Sequence, residues 1–263
     1  MNKINLIAGL PRSGSTLLCA LLNQKKSFYA TQTSLLPHWF KKNTEIFSGG
    51  VYNKYNKTNL SKRMLDGYKE FVKGFYKKEK IVFDKDRNWI KVFPLFKKIF
   101  PQTKLIFIYR NVEDVLASII KQEFKSEEYH NPDINDYLTK DSLINYWLQD
   151  DNIILSLLFY LKNCKDRGFS KDILCVEYNE LVENPQKTME EIHFFLNIPK
   201  NKYQFNNIVY SKNENDDIDN LKFLHAVKNK LKRVQHRNFF NKEQKFFINS
   251  KIEYIRKELK LNV

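Results

Sequence analysis

A doubly wound α/β fold, a parallel sheet with helices on both faces, is predicted for this chain of 263 residues by the alternation of short apolar runs with helical stretches. Three observations carry the prediction. Residues 4–8, Ile-Asn-Leu-Ile-Ala, end in a glycine-containing turn at 9–16 and resume as Leu17-Leu18-Cys19-Ala20-Leu21-Leu22, the order strand, loop, helix. Residues 104–109 are an apolar run of the kind buried on both faces of a parallel sheet, and 111–120 follow with acids in the first turn and an apolar stripe. Residues 172–178 and the helix-like 188–196 repeat the unit.

The elements between follow in order. Residues 28–47 hold aromatics and one proline without regular spacing and read as irregular, punctuated by Ser48-Gly49-Gly50. Leu60, Met64, Leu65, Tyr68, Phe71, Val72 and Phe75 recur at three and four residues, predicting a helix over 60–78. A strand at 80–84 and a helix at 89–100 come next. Residues 123–141 are polar, a segment suited to a lid. One long helix is expected over 142–163, with 153–161 as its buried part, an apolar run far below the roughly 20 residues of a membrane span. After a polar break at 213–219, helices are expected at 221–232 and 244–259. The length suits one α/β domain over 1–263 with a C-terminal helical extension from about 213.

Lysine and arginine total 45 against 30 acids, a formal net charge of +15, which suits anionic ligands. The basic residues are scattered in pairs without a long block, and the Lys, Asn, Ile, Phe and Tyr bias is that of an AT-rich coding sequence, so nucleic acid is not the expected partner. A non-enzymatic basic nucleic-acid binder stays as an alternative. Cys19, Cys164 and Cys175 sit in apolar contexts with no C-x-x-C pair, pointing to reduced thiols and a cytoplasmic location. With the first strand expected within the first few residues, no leader is expected ahead of the fold, and neither a membrane nor a metal partner is expected. Gly-x-Ser-x-Gly is absent, which argues against a hydrolase of that type.

Gly9-Leu10-Pro11-Arg12-Ser13-Gly14-Ser15-Thr16 matches the triphosphatase loop GxxxxGK[ST] at both glycines and at Thr16, with Ser15 where the lysine should stand. A neutral hydroxyl there argues against ordinary NTP hydrolysis. The cation is instead Arg12, whose planar fork suits a phosphate or sulfonate. Pro-Arg-Ser-Gly-Ser-Thr after a strand resembles the 5′-phosphosulfate loop of sulfotransferases that use 3′-phosphoadenosine-5′-phosphosulfate (PAPS), and its arginine looks most like the tyrosylprotein and bacterial branches. The resemblance covers about residues 4–233. It implies a P-loop-like sheet, transfer of a sulfuryl group from PAPS to a hydroxyl or amine acceptor, and donor contacts from Arg12, Ser13, Gly14, Ser15 and Thr16.

Further positions follow from the same resemblance. Arg110, at the end of the 104–109 strand, and Ser118 in the next helix match the family's 3′-phosphate pair; a guanidinium with a hydroxyl is what can read that phosphate. Tyr178 matches a residue near the adenine. Lys228, with Lys232 and Arg233, lies where the family returns a basic segment over the nucleotide. Lys85 follows the 80–84 strand where the family places a lysine reaching the sulfonate. The general base departs from the pattern: Arg87 stands where the cytosolic branch has histidine, and Gln32 and Thr33 fall where the tyrosylprotein branch has glutamate. Asp86, beside Lys85, ranks first as base and catalytic partner of Arg12 and Lys85, ahead of Asp84, His38 and Glu45. Asp84 also resembles the magnesium-holding aspartate of P-loop kinases, so the rival enzyme is an ATP- and magnesium-dependent phosphotransferase.

Overall fold

β1 (Lys3–Gly9) occupies the middle of a five-stranded parallel sheet of order β2-β3-β1-β4-β5, with β2 at Phe28–Ala30, β3 at Ile81–Lys85, β4 at Leu105–Tyr109 and β5 at Ile173–Glu177. The structure is a computed structural model that describes residues 3–48, 59–76, 81–124, 139–209, 229–236 and 238–263, the side chains at 44–48, 59–61, 64 and 65 excepted. Leu6 of β1 lies opposite Asp84 on one side and Leu105 on the other.

The period-two alternation of strands divides the core into two layers. Leu6 and Ala8 with Leu105, Phe107 and Tyr109 face one cluster, whereas Ile7 with Ile106 and Ile108 faces the other. The first layer is closed by α4 (Trp89–Ile99), α5 (Val112–Glu123), α7 (Ile153–Cys164) and α10 (Lys242–Leu259). The second is closed by α1 (Ser15–Leu22) and α9 (Pro185–Leu196). α10 is thus part of the main core: Ile248, Ile252, Ile255 and Leu259 are all buried in it. The parallel sheet flanked by helices agrees with the expectation from sequence.

Some elements differ. Residues 28–47, read as irregular, contain β2 and α2 (Leu36–Ser48). β2 has only three residues at the sheet edge, too few for an apolar run to register. The Asn23 side chain donates to the Ala30 carbonyl and accepts from its N–H, at 2.8 and 2.7 Å, standing in for the neighbouring strand that an edge lacks. The helix expected over 60–78 is α3 (Asn59–Phe75). The single helix expected over 142–163 is two, α6 (Lys140–Trp147) and α7. Asn152 makes the break, accepting from the Ile153 N–H at 2.6 Å and donating to the Tyr146 carbonyl at 2.9 Å, so it caps a new helix and closes the old one. Tyr178, placed at the end of a strand, opens α8 (Tyr178–Glu183). The stretch 229–232, expected to end a helix, is not helical. The lid segment falls outside the described residues at 125–138, as does the break at 213–219. Among the described residues no helix is long and apolar enough to cross a membrane.

Candidate active site

The carboxyl ends of β1, β3 and β4, where open α/β sheets bind ligands, and the start of α8 after β5 surround a cavity of about 670 Å³. Gly9 ends β1 so close to β4 that a Cβ there would lie 2.0 Å from the Ile108 carbonyl oxygen, and the Leu10 N–H donates to that oxygen at 3.1 Å. Only glycine permits this approach. Arg12 (φ +57°) and Gly14 (φ +87°) both adopt left-handed backbone, which curls the loop back on itself. Gly14 is the N-cap of α1 and supplies no side-chain cap, so the first N–H groups of α1, at Ser15, Thr16 and Leu17 on the cavity wall, suit an incoming anion.

Ser13 behaves differently from its neighbours. It is fully buried, and its hydroxyl lies 2.6 Å from the Leu10 carbonyl and 3.1 Å from that of Ile108. Its side chain therefore fastens the loop to β4 and does not reach the cavity.

The cations converge from three elements. Lys85 Nζ donates to Thr16 Oγ1 at 3.3 Å, and Arg12 Nε donates to Ser118 Oγ at 3.1 Å, joining the two phosphate motifs across 106 residues. Arg110 is 4% exposed, pairs with Asp114 at 3.5 Å, donates to the Val234 carbonyl and stacks its guanidinium 4.6 Å from the Tyr178 ring centre. Its Nε is buried and has no hydrogen-bond partner among the described residues, a donor that an anion would satisfy. Tyr178 in turn covers the loop: a Cβ on Gly14 would sit 2.6 Å from its ring. Arg12, Gly14, Ser15, Thr16, Lys85, Asp86, Arg110, Ser118 and Tyr178 thus share one cavity. Lys228 and the side chain of Glu45 lie outside the described residues. Lys230 and Lys232 line the cavity, whereas Arg233 pairs with Glu183.

The two aspartates after β3 separate. Asp84 is completely buried and accepts from Ser34 Oγ at 2.9 Å, Trp89 Nε1 at 2.6 Å and the Tyr76 hydroxyl; burial pushes its carboxyl up to about 6 in spite of these donors. Its carboxylate is enclosed by these core side chains and does not line the cavity. Asp86 lines the cavity. Its Oδ1 accepts from the Asn88 N–H at 2.7 Å and Nδ2 at 3.0 Å, and its Oδ2 lies 3.6 Å from His38 Nε2. Among the described residues no group of three or more His, Cys, Asp or Glu is placed to hold a metal ion.

Glu123, Trp147 and His236 line the cavity without having stood out in the sequence. His236 sits in a basic cluster: Lys121 Nζ lies 2.8 Å from its Nδ1, and its own N–H donates to Asp114 at 2.9 Å. Burial lowers its pKa, Lys121 and Arg110 lower it further, and Asp114 opposes them. A phosphorylated ligand beside Arg110 adds negative charge, which raises the pKa, so binding takes up a proton. Affinity for such a ligand is therefore expected to strengthen as pH falls through the bound state's pKa toward the free state's, which lies below histidine's ordinary 6.5. Calorimetry in buffers of different ionisation enthalpy measures the uptake, and His236→Gln should reduce it; an unchanged uptake in the variant would assign the proton elsewhere.

The chain matches the family model described as Sulfotransferase family over residues 6–202. It is similar to the protein-tyrosine sulfotransferase of Drosophila melanogaster, 24% identical over 206 residues that cover 74% of this chain and 38% of the relative. Protein-tyrosine sulfotransferase A of Caenorhabditis elegans is 25% identical over 204 residues, covering 73% and 49%. The chain therefore spans less than half the length of either relative. Its fold is similar to that of a mouse sulfotransferase complexed with PAP, with a TM-score of 0.59 and 15% identity over 97% of this chain and 84% of that one. A sulfotransferase from Alicyclobacillus acidocaldarius gives a TM-score of 0.58 and 13% identity over 100% and 97%.

Proposed function

We propose that this chain, which belongs to the sulfotransferase family, transfers a sulfuryl group from PAPS to a hydroxyl or amine acceptor. One observation carries the reading: the 9–16 loop and the buried Arg110 open onto the same cavity, so one ligand bearing two separated phosphates satisfies both. The open N-terminus of α1 suits the 5′-phosphosulfate, and the unpartnered Nε of Arg110 suits the 3′-phosphate.

In the transfer, a lone pair on the acceptor oxygen or nitrogen forms a bond to sulfur while the bond from sulfur to the bridging oxygen breaks. The bridging oxygen keeps that electron pair and leaves as the 5′-phosphate of 3′-phosphoadenosine 5′-phosphate (PAP). Arg12 and Lys85 meet the charge that grows on it. The acceptor proton passes to Asp86, whose Oδ1 is held by Asn88 and whose Oδ2 lies beside His38. The free thiols Cys19 and Cys164 are buried, with Cys19 pushed up to about 12 and Cys164 to about 11 by burial. Unpaired, inert cysteines support a reducing, cytoplasmic compartment.

Calorimetric titration with PAP, 5′-AMP and ATP plus magnesium tests the assignment. Metal-independent binding that needs the 3′-phosphate is expected. A preference for ATP with magnesium would move the chain to the phosphotransferases.

A further inference from the structure

The cavity wall is strongly basic: Arg12, Lys85, Arg87, Arg110, Lys230 and Lys232 all line it. Two carboxylates of the described residues stand against them, Asp86 and Glu123. Asp86 is held by Asn88 and His38. Glu123 is different. Its Oε1 accepts from Trp147 Nε1 at 3.1 Å, and among the described residues no lysine, arginine or histidine pairs with it. Burial raises its pKa, opposed only by that indole N–H.

Its place along α5 separates it from the nucleotide. Arg110 stands just before α5, Ser118 meets Arg12 partway along it, and Glu123 ends it. Ile119 and Glu123, like Ser118 and Gln122, are four residues apart on one face, and all four line the cavity. At 1.5 Å per residue, Glu123 lies about 7.5 Å further along the axis than Ser118. A carboxylate repels the phosphate and sulfate groups of the donor, so this end of the wall suits the other substrate.

We propose that Glu123 and Trp147 form the acceptor subsite and hold a protonated amine carried by the acceptor, an inference that rests on the sulfotransferase reading above. An ammonium supplies the charge and donors that a partly desolvated carboxylate lacks, and the indole adds the aromatic surface on which such groups are held. The acceptor class is therefore an amine-bearing molecule, such as an amino sugar or an aralkylamine.

The test uses two probe pairs that differ in the amine, tyramine with 4-ethylphenol and glucosamine with glucose, titrated into the full chain saturated with PAP. At least one amine is expected to bind about tenfold tighter than its partner, the effect of one charge pair in such a site. Glu123→Gln is expected to erase that difference while PAP affinity and the neutral probe's affinity stay unchanged. If neither pair distinguishes wild type from Glu123→Gln, the subsite is overturned, whether or not transfer occurs. If wild type fails to bind PAP, the sulfotransferase reading itself falls. Trp147→Phe, which keeps an aromatic ring but a weaker cation-π surface and removes the N–H, should keep the preference for the amine over its neutral partner, because Glu123 still supplies the charge; a complete loss of that preference would count against direct contact by Glu123.

Discussion

Arg12→Ala is expected to lower kcat by about 10²- to 10³-fold, the typical effect of deleting one donor that meets charge developing on an oxygen. The bisphosphate product should still bind with a modest loss, since the N–H groups at the start of α1 and the Arg110 contact remain. The backbone gives this experiment an internal control. Arg12 holds a φ of +57°, which costs a non-glycine residue about 1–2 kcal/mol. Alanine keeps that strain and glycine removes it, so Arg12→Gly should be at least as thermally stable as Arg12→Ala while equally inactive. Initial-rate assays with PAPS, alongside melting curves, separate the two effects. Turnover at the wild-type level in either variant would remove Arg12 from the chemistry. Recovery of activity in glycine alone would mean that loop shape, and no side-chain contact, is what the position supplies.

The 9–16 loop was legible because its demands are local. Gly9 must tolerate β4 at 2.0 Å from an absent Cβ, Gly14 must turn left-handed, and the cation and hydroxyls lie within a few residues. Arg110 and Ser118 were legible for the same reason, a strand end and the helix that follows it. What the sequence hid depends on distant partners. Asp84 and Asp86 are two residues apart and look equivalent as letters. Only the packing of Ser34, Tyr76 and Trp89 around Asp84 makes one a core anchor, and leaves Asp86 on the wall. Glu123 and Trp147 lie on either side of a polar stretch and meet through a 3.1 Å hydrogen bond that no spacing rule announces. His236 acquires its setting from Lys121 and Asp114, more than a hundred residues away. β2 was missed because three residues of edge strand, pinned by the side chain of Asn23, carry no periodic signal.

The second large effect falls on binding. Arg110→Ala is expected to weaken PAP by roughly a hundredfold, about 3 kcal/mol for removing one partner of a buried, hydrogen-bonded charge pair. The same substitution disturbs the protein, since Arg110 also pairs with Asp114, donates to the Val234 carbonyl and lies against Tyr178. A control ligand separates these consequences. 5′-AMP lacks the 3′-phosphate, so a loss confined to PAP reports the direct contact, whereas an equal loss for both reports a collapse of the 234–236 segment and of Tyr178 over Gly14. Arg110→Lys refines the point: the ammonium keeps the charge for Asp114 but not the planar fork. It should therefore hold the fold and recover only part of the PAP affinity. Wild-type affinity for PAP in Arg110→Ala, with 5′-AMP also unchanged, would place the 3′-phosphate elsewhere in the cavity, and Lys230 and Lys232 on the same wall would be the next cations to substitute.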